Sequence, residues 1–293
     1  MIIINTSQID YSQIIISTIN QLFSALFSSL DKSLYSLLDK SVFVDESILS
    51  GAFFKTIFQN SFGLPTIADA LLVGFAIYYC FRLSFAQFSG TVVEKPYQFL
   101  TKILIVAVCI NCSSFICEQF LNVTGLVTDS LRVLGKHITG QEISFHNLIS
   151  KSIYLTSNSE TFNLFSIEGI LKSFFSIGLI SLLFSYSIRY ILIKIFILLS
   201  PFAFLALVNN STSWFFKTWL RTFFSLLFVQ IFVALILLLL FSISIQSSDL
   251  FSQISYISTV FILSKANNYV KELIGGLSLD INTNILSIKN LLK

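Results

Sequence analysis

The stretch TFFSLLFVQIFVALILLLLFSISI, from Thr222 to Ile245, decides the fold class because it contains no charged residue. A helix of about 20 apolar residues crosses the hydrocarbon core of a bilayer, which is roughly 30 Å thick. A helix buried in a soluble protein would show a polar stripe along its length. The run from Phe223 to Phe241 has almost no polar stripe. We therefore predict that this stretch is a transmembrane helix.

The composition of the whole chain extends this prediction beyond one segment. Of the 293 residues, 55% are hydrophobic and 11% are charged, and the mean hydropathy is +0.83. Soluble domains carry about a quarter charged residues, so this chain lacks the charge to cover a surface that faces water. The net charge of +3 is too small for bulk electrostatic binding of nucleic acid. We predict an all-α, polytopic helical membrane protein.

Apolar and polar segments alternate along the chain and divide it into five parts. In chain order these are an N-terminal amphipathic helix with its connector on the extracytoplasmic side (1–63), a first transmembrane hairpin (64–121), a long extracytoplasmic loop (122–170), a C-terminal transmembrane bundle (171–265) and a cytoplasmic tail (266–293). The amphipathic helix is predicted over Ile14–Leu38, where apolar residues recur at intervals of three and four. It would lie on the membrane surface or pack against a partner.

The pattern predicts about five transmembrane helices. They cover, in order, Pro65 to Phe81, Ile103 to Leu121, Leu171 to Val208, Thr222 to Ile245 and Leu250 to Leu263. The third stretch is about twice as long as one crossing requires, and it counts as one crossing because of the loop charges described next. Pro201 is expected to kink or break the helix in which it lies.

The charges of the connectors predict the orientation, since short loops rich in Lys and Arg remain in the cytoplasm. Arg82, Lys95 and Lys102 lie in the first connector, and Lys217 and Arg221 lie between the third and fourth spans. Both connectors are therefore expected in the cytoplasm. This places the N-terminus and the long central loop outside and the C-terminus inside, which requires an odd number of crossings.

Few strongly polar residues fall inside the predicted spans. Arg189, Lys194 and Gln230 are the main candidates. Charged groups at membrane depth are costly and usually face a bundle interior or a water-filled path. The alternatives are that Arg189 and Lys194 extend to the membrane surface, and that Gln230 only joins two helices.

Motifs of common enzyme sites are missing from the sequence. It has no Gly-rich phosphate loop, no His-Glu-x-x-His and no Gly-x-Ser-x-Gly. His137 and His146 are far apart in a polar region, while Cys109 and Cys112 lie in an apolar run with no second pair. We expect no catalytic residue, no cofactor and no bound metal, and we do not expect an enzyme.

The order of features in residues 189–241 resembles a known family. An apolar helix with a cation is followed by LLSPFAFLAL (Leu198–Leu207), by a polar turn with Trp214 and Lys217, and by a long apolar span with Gln230. This order resembles the TrbL-like polytopic inner-membrane channel subunit of type IV secretion (conjugation) systems, in the form found on Gram-positive mobile elements. The N-terminal layout agrees with it more loosely.

The resemblance implies a non-enzymatic subunit that forms homo-oligomers in the bacterial cytoplasmic membrane. Its partners would be membrane lipid, other type IV secretion subunits including ATPases, and transiently the DNA–relaxase substrate. The candidate channel, packing or interfacial residues are Arg189, Lys194, Ser200, Pro201, Trp214, Lys217, Trp219, Arg221 and Gln230.

Two other classes of membrane protein remain open at this point. A small-molecule or ion permease would use broken helices near the membrane midplane, often within internal repeats. No convincing repeat relates the two halves of this sequence. A membrane-disrupting or immunity protein of a mobile element would usually be much shorter.

Overall fold

The computed structural model describes residues 15, 17–19, 21–22, 32–59, 62–90, 94–140, 142–145, 147, 167–242 and 250–274. All regular secondary structure in these residues is helical, which confirms the all-α prediction. In chain order the elements are α1 (Lys32–Val42), a 3-10 helix (Glu46–Leu49), α2 (Ala52–Gln59), α3 (Leu64–Ser89), α4 (Pro96–Asn111), α5 (Ser113–Thr139), α6 (Ile167–Leu198), α7 (Ser200–Leu205), α8 (Ser213–Ser242) and α9 (Leu250–Ile274).

Several of these helices have the length and composition of membrane spans. Three qualify singly, namely α3, residues Ser173–Leu198 of α6 and residues Ser213–Phe241 of α8. The pair α4 and α5 qualifies together, although its two helices are bent by 63° at their junction. The described residues therefore contain three candidate spans, or four with the bent pair. These helices mark the chain as a membrane protein.

The structure corrects the span predicted over Ile103–Leu121, because a helix break falls inside it. The helix breaks at Cys112, and α5 then continues to Thr139. At the break, the Asn111 side chain donates one hydrogen bond to the Ala107 carbonyl at 2.9 Å and another to Asp69 at 3.0 Å. A side chain that competes for a helical carbonyl is a common cause of a kink.

The same helix corrects the start of the loop predicted over 122–170. Residues 122–139 belong to α5 and end at Gly140, which has a left-handed backbone with φ of 70°. The polar and glycine residues of this segment predicted a loop. In the structure, buried residues of the whole helix α5 share one face, namely Cys117, Leu121, Thr124, Thr128 and Gly135. A narrow face of small and apolar residues lets the helix pack closely on a neighbour.

Helix α8 lies at the centre of the bundle. It runs antiparallel to α6, since Leu226 of α8 is bonded to Arg189 and Trp219 to Phe196. Helix α5 runs parallel to α8, with Phe120 against Phe224 at one end and Gly135 beside Leu238 further along. Helix α9 runs parallel to α6.

The N-terminal region packs on this bundle through α1 and the chain that follows it. About half of the amphipathic helix predicted over Ile14–Leu38 lies outside the described residues. Residues 15, 17–19 and 21–22 are helical, and α1 begins at Lys32. Leu38 and Val42 of α1 are buried in the same apolar cluster as residues of α6, α8 and α9.

Candidate functional site

Arg189 lies inside the bundle and is fully buried. Its Nε donates to the Leu226 carbonyl of α8 at 2.7 Å, and its Nη1 donates to the Val42 carbonyl at 2.9 Å. The second carbonyl belongs to the last residue of α1, where helical carbonyls have no partner within the helix. A cation at a helix C-terminus also complements the helix dipole. Arg189 therefore joins three helices rather than extending to the membrane surface.

Gln230 binds the same part of the chain from α8. Its Oε1 accepts a hydrogen bond from the backbone N–H of Val44 at 3.2 Å, and its side chain is buried. We call residues 42–49 the strap, and its first residues, Val42 and Val44, thus join α6 to α8. Val44 and Ile48 of the strap are themselves buried.

The strap explains why two strongly polar side chains occur within apolar helices. Non-helical backbone at membrane depth survives only where protein or a water-filled cavity satisfies its polar groups. Arg189 supplies a donor to one strap carbonyl, and Gln230 supplies an acceptor to one strap amide. The sequence identified both residues as candidates but could not reveal their shared partner, which lies 147 and 186 residues away.

A second set of polar contacts joins α6 to α9 at the same part of the bundle. Tyr186 donates its hydroxyl to the Leu263 carbonyl at 2.8 Å, and Asn267 donates to Ser185 Oγ at 2.9 Å. The sequence analysis missed these three side chains. Small polar residues that recur within otherwise apolar helices are the signal that could have found them, because they often bond across helix pairs.

Several buried polar atoms in these helices have no hydrogen-bond partner among the described residues. They are Arg189 Nη2, Ser225 Oγ, Gln230 Nε2 and Asn267 Oδ1. Most buried polar groups in proteins form hydrogen bonds, so each buried group without one needs an explanation. We use the name polar layer for Arg189, Ser225, Gln230 and Asn267 together with the bonds that Arg189 and Gln230 make to the strap.

A second anchor holds the start of the strap against α5. The Arg132 guanidinium lies 4.9 Å from the centre of the Phe43 ring and donates to the Ile143 carbonyl at 3.1 Å. Ile143 is buried beside Gly135, where a Cβ would meet its side chain at 1.9 Å. The glycine is therefore needed for this close approach.

A helix break lies next to Pro201, as the sequence predicted. Helix α6 ends at Leu198, and Pro201 lies in the first turn of α7. A proline has no N–H to donate to the carbonyl four residues earlier, which here is that of Ile197. Ser200 Oγ donates to this carbonyl at 2.7 Å, so the serine replaces the bond that the proline removes.

The structure separates the remaining interfacial candidates. Trp214 is 64% exposed, as expected for a residue at a membrane surface. Trp219 differs, because it is buried and donates its indole N–H to the Phe196 carbonyl at 2.9 Å. Its amphipathic ring packs inside the bundle because this carbonyl provides a partner. Lys217 is exposed, and Arg221 donates to the Ile274 carbonyl at the end of α9.

Lys194 has a different environment from Arg189, although both lie on α6. Its ammonium group lies 4.5 Å from the centre of the Tyr190 ring, one turn earlier on the same helix. A cation above an aromatic face gains modest stabilisation. Lys194 is half-buried, so the structure does not bring it into the polar layer.

The two connectors predicted in the cytoplasm meet in the structure. Lys102 pairs with Glu94 at 2.6 Å, and Asn210, between α7 and α8, donates to the same carboxylate at 3.3 Å. Beside them lies a cavity of about 540 Å³, which we call the junction cavity. It is lined by Phe75, Tyr78, Tyr79, Arg82, Glu94, Phe99, Val208, Asn209, Asn210 and Ser211.

Comparisons with known proteins give no relative from which to assign a function. No protein-family model matches the chain. No curated protein matches it either.

Proposed function

We propose that this chain is an integral membrane channel subunit of a conjugative type IV secretion system, which helps to move a DNA–protein substrate across the bacterial cytoplasmic membrane. The observation that carries this proposal is the strap held between two candidate spans by Arg189 and Gln230. An ionisable residue that faces a bundle interior usually marks a transport pathway or its closure.

The proposed mechanism treats the strap as the closing element of the polar layer. Where the strap is docked, its backbone covers Arg189 and Gln230. Ser225 Oγ and Asn267 Oδ1, which have no hydrogen-bond partner among the described residues, lie on helices α8 and α9 of the same bundle. Displacement of the strap would hydrate these groups and leave a polar passage between apolar helices.

The proposed topology has five crossings, with the N-terminus outside and the C-terminus inside. Its crossings are α3, the bent pair α4–α5, α6, α8 and α9. In this scheme α5 and α8 point outward while α6 and α9 point inward. The parallel pairs in the bundle support these directions. The contact between Asn210 and Glu94 supports a common side for the two cationic connectors.

The remaining parts of the proposal rest on the sequence resemblance. They are assembly into a homo-oligomer, association with secretion ATPases and transient contact with a DNA–relaxase substrate. Such a subunit carries no catalytic residue of its own, because separate ATPases would supply the energy.

The test measures element transfer from donor cells that lack this gene and carry a copy in trans. The wild-type copy should restore transfer, Arg189→Met should not, and Lys194→Met should restore most of it. Lys194 is the matched control because it is a cation on the same helix without a strap contact. Immunoblots of membrane fractions confirm equal amounts of each variant. Normal transfer in the deletion strain would exclude the proposal.

A permease is the alternative, and the helix break between Leu198 and Ser200 favours it, because transporters build substrate sites from broken helices. Uptake of small solutes into vesicles containing the purified protein distinguishes the two functions. Saturable uptake together with normal conjugation would replace the channel proposal by this one.

A further inference from the structure

Helix α3 brings an apolar stripe and a cation to the junction cavity. Phe75, Tyr79 and Arg82 line it, and their spacing of four and three residues puts them on one helical face. The lining also includes Phe99 of α4, whose ring stacks on Tyr79 with centroids 3.7 Å apart. Tyr79 is fixed in turn, because its hydroxyl donates to the Glu94 carbonyl at 2.6 Å. The cavity therefore has a rigid aromatic floor that leads to a guanidinium.

The two charged side chains that line this cavity differ, because one has an ion-pair partner and the other has none among the described residues. Glu94 is already neutralised by Lys102 at 2.6 Å. Arg82 is exposed and makes no hydrogen bond or ion pair within the part of the chain that the structure describes. A guanidinium offers a planar pair of donors that fits a phosphate in bidentate fashion. The free charge of the cavity is therefore positive.

Exposed amphipathic aromatic residues lie in the cavity lining or in the helix turns next to it in sequence. Tyr78 lines it, Tyr97 lies in the first turn of α4 and Trp214 in the first turn of α8, and each is more than half exposed. Tyr and Trp concentrate at the level of lipid headgroups, where one end of the ring is apolar and the other is hydrated. These residues place the cavity at that level of the membrane.

We propose that the junction cavity binds the phosphate headgroup of an anionic phospholipid. The phosphate would lie against Arg82, and the first methylene groups of the acyl chains would cover Phe75 and Phe99. Basic pockets between membrane helices on the cytoplasmic side are the usual sites for anionic headgroups. The volume of about 540 Å³ lies within the range of roughly 300–1,000 Å³ of small-ligand sites. The inference rests on the proposed topology, which puts the cavity on the cytoplasmic side, and not on the secretion role.

The test is native mass spectrometry of the full chain in detergent, with phosphatidylglycerol or phosphatidylcholine added in equal amounts. The wild-type protein should retain one phosphatidylglycerol molecule in preference to phosphatidylcholine. Arg82→Gln should reduce this retention by about fivefold, the contribution of one cation near an anionic lipid. Lys217→Gln is the matched control, since Lys217 is an exposed cation at the same end of the bundle and lies outside the cavity lining.

A second variant changes the same site in the opposite direction. Glu94→Gln removes the carboxylate and leaves Lys102 without its ion-pair partner, so retention of phosphatidylglycerol should rise. The thermal melting of each variant in detergent verifies that it is folded, which we expect because Arg82 is exposed and forms no hydrogen bond or ion pair with the described residues.

Three results would overturn the proposal. Equal loss for Arg82→Gln and Lys217→Gln would show a general cationic surface without a site. Equal retention of phosphatidylcholine would show that the acyl chains alone bind. Displacement of the lipid by millimolar inorganic phosphate, with phosphate retained in its place, would assign the cavity to a free phosphate instead.

Discussion

The polar layer and the junction cavity both place an arginine in a largely apolar protein, but their arginines have opposite environments. Arg189 is fully buried and bonded to carbonyls of two other elements. Arg82 is exposed and makes no such bond within the described residues. The first arginine is committed to the fold, whereas the second is available to a ligand. Replacement of Arg189 should therefore lower the stability of the fold, whereas replacement of Arg82 should weaken ligand binding.

The largest effect is expected where Arg189 is replaced. Arg189→Met removes the donor to the Val42 carbonyl and leaves a buried acceptor without a partner, which costs about 1–3 kcal/mol. The apparent melting temperature in detergent should fall by several degrees. Lys194→Met serves as the control and should change it little. If both substitutions lower the melting temperature equally, Arg189 has no special part in holding the strap.

A steric substitution tests the second anchor of the strap. Gly135→Ala would place a Cβ 1.9 Å from Ile143 Cδ1, and overpacking of this kind costs about 1–3 kcal/mol. Gly125→Ala is the matched control on the same helix, because nothing lies within 4 Å of its Cβ position. Thermal melting should show a loss for the first variant, restored in part by Ile143→Ala, and no loss for the second. A loss that Ile143→Ala leaves unchanged would contradict this contact.

A double-mutant cycle tests the Ser200–Pro201 pair. Ser200→Ala alone should cost about 1 kcal/mol, because it leaves the Ile197 carbonyl without the hydroxyl donor. In a Pro201→Ala background the new N–H at position 201 supplies that donor, so the same substitution should cost less. Unfolding free energies of the four proteins give the coupling directly. If the effects of the two substitutions are strictly additive, the Ser200 hydroxyl does not replace the bond that Pro201 removes.

The smallest effect is expected at the junction. Glu94→Gln breaks an ion pair whose two side chains are each more than one third exposed, and such pairs contribute less than about 1 kcal/mol. Its melting temperature should stay close to that of the wild type while lipid retention changes. A large destabilisation would mean that the junction is structural, like the polar layer, and would remove the contrast between the two regions.

The sequence predicted those features that depend on local chemistry. Long apolar runs with few charges predicted helices α3, α6 and α8 as spans, and Pro201 predicted the break after α6, because both signals act within a few residues. The amphipathic face of α5 was missed because Gly135 resembles a loop residue until its contact with Ile143 is known. Gln230 and Arg189 stood out as residue types, but their shared partner depends on tertiary packing.

The strap also constrains the order of events during synthesis. Its two bonds join residues 147 and 186 positions apart, and ribosomes add about 5–20 residues per second. A time on the order of ten seconds therefore passes between the synthesis of the strap and that of α6 and α8, which bind it. During that time the Val42 carbonyl and the Val44 N–H must bond to water, a chaperone or the membrane surface instead. The strap is thus made before the helices that bind it and reaches its final place only after they are present.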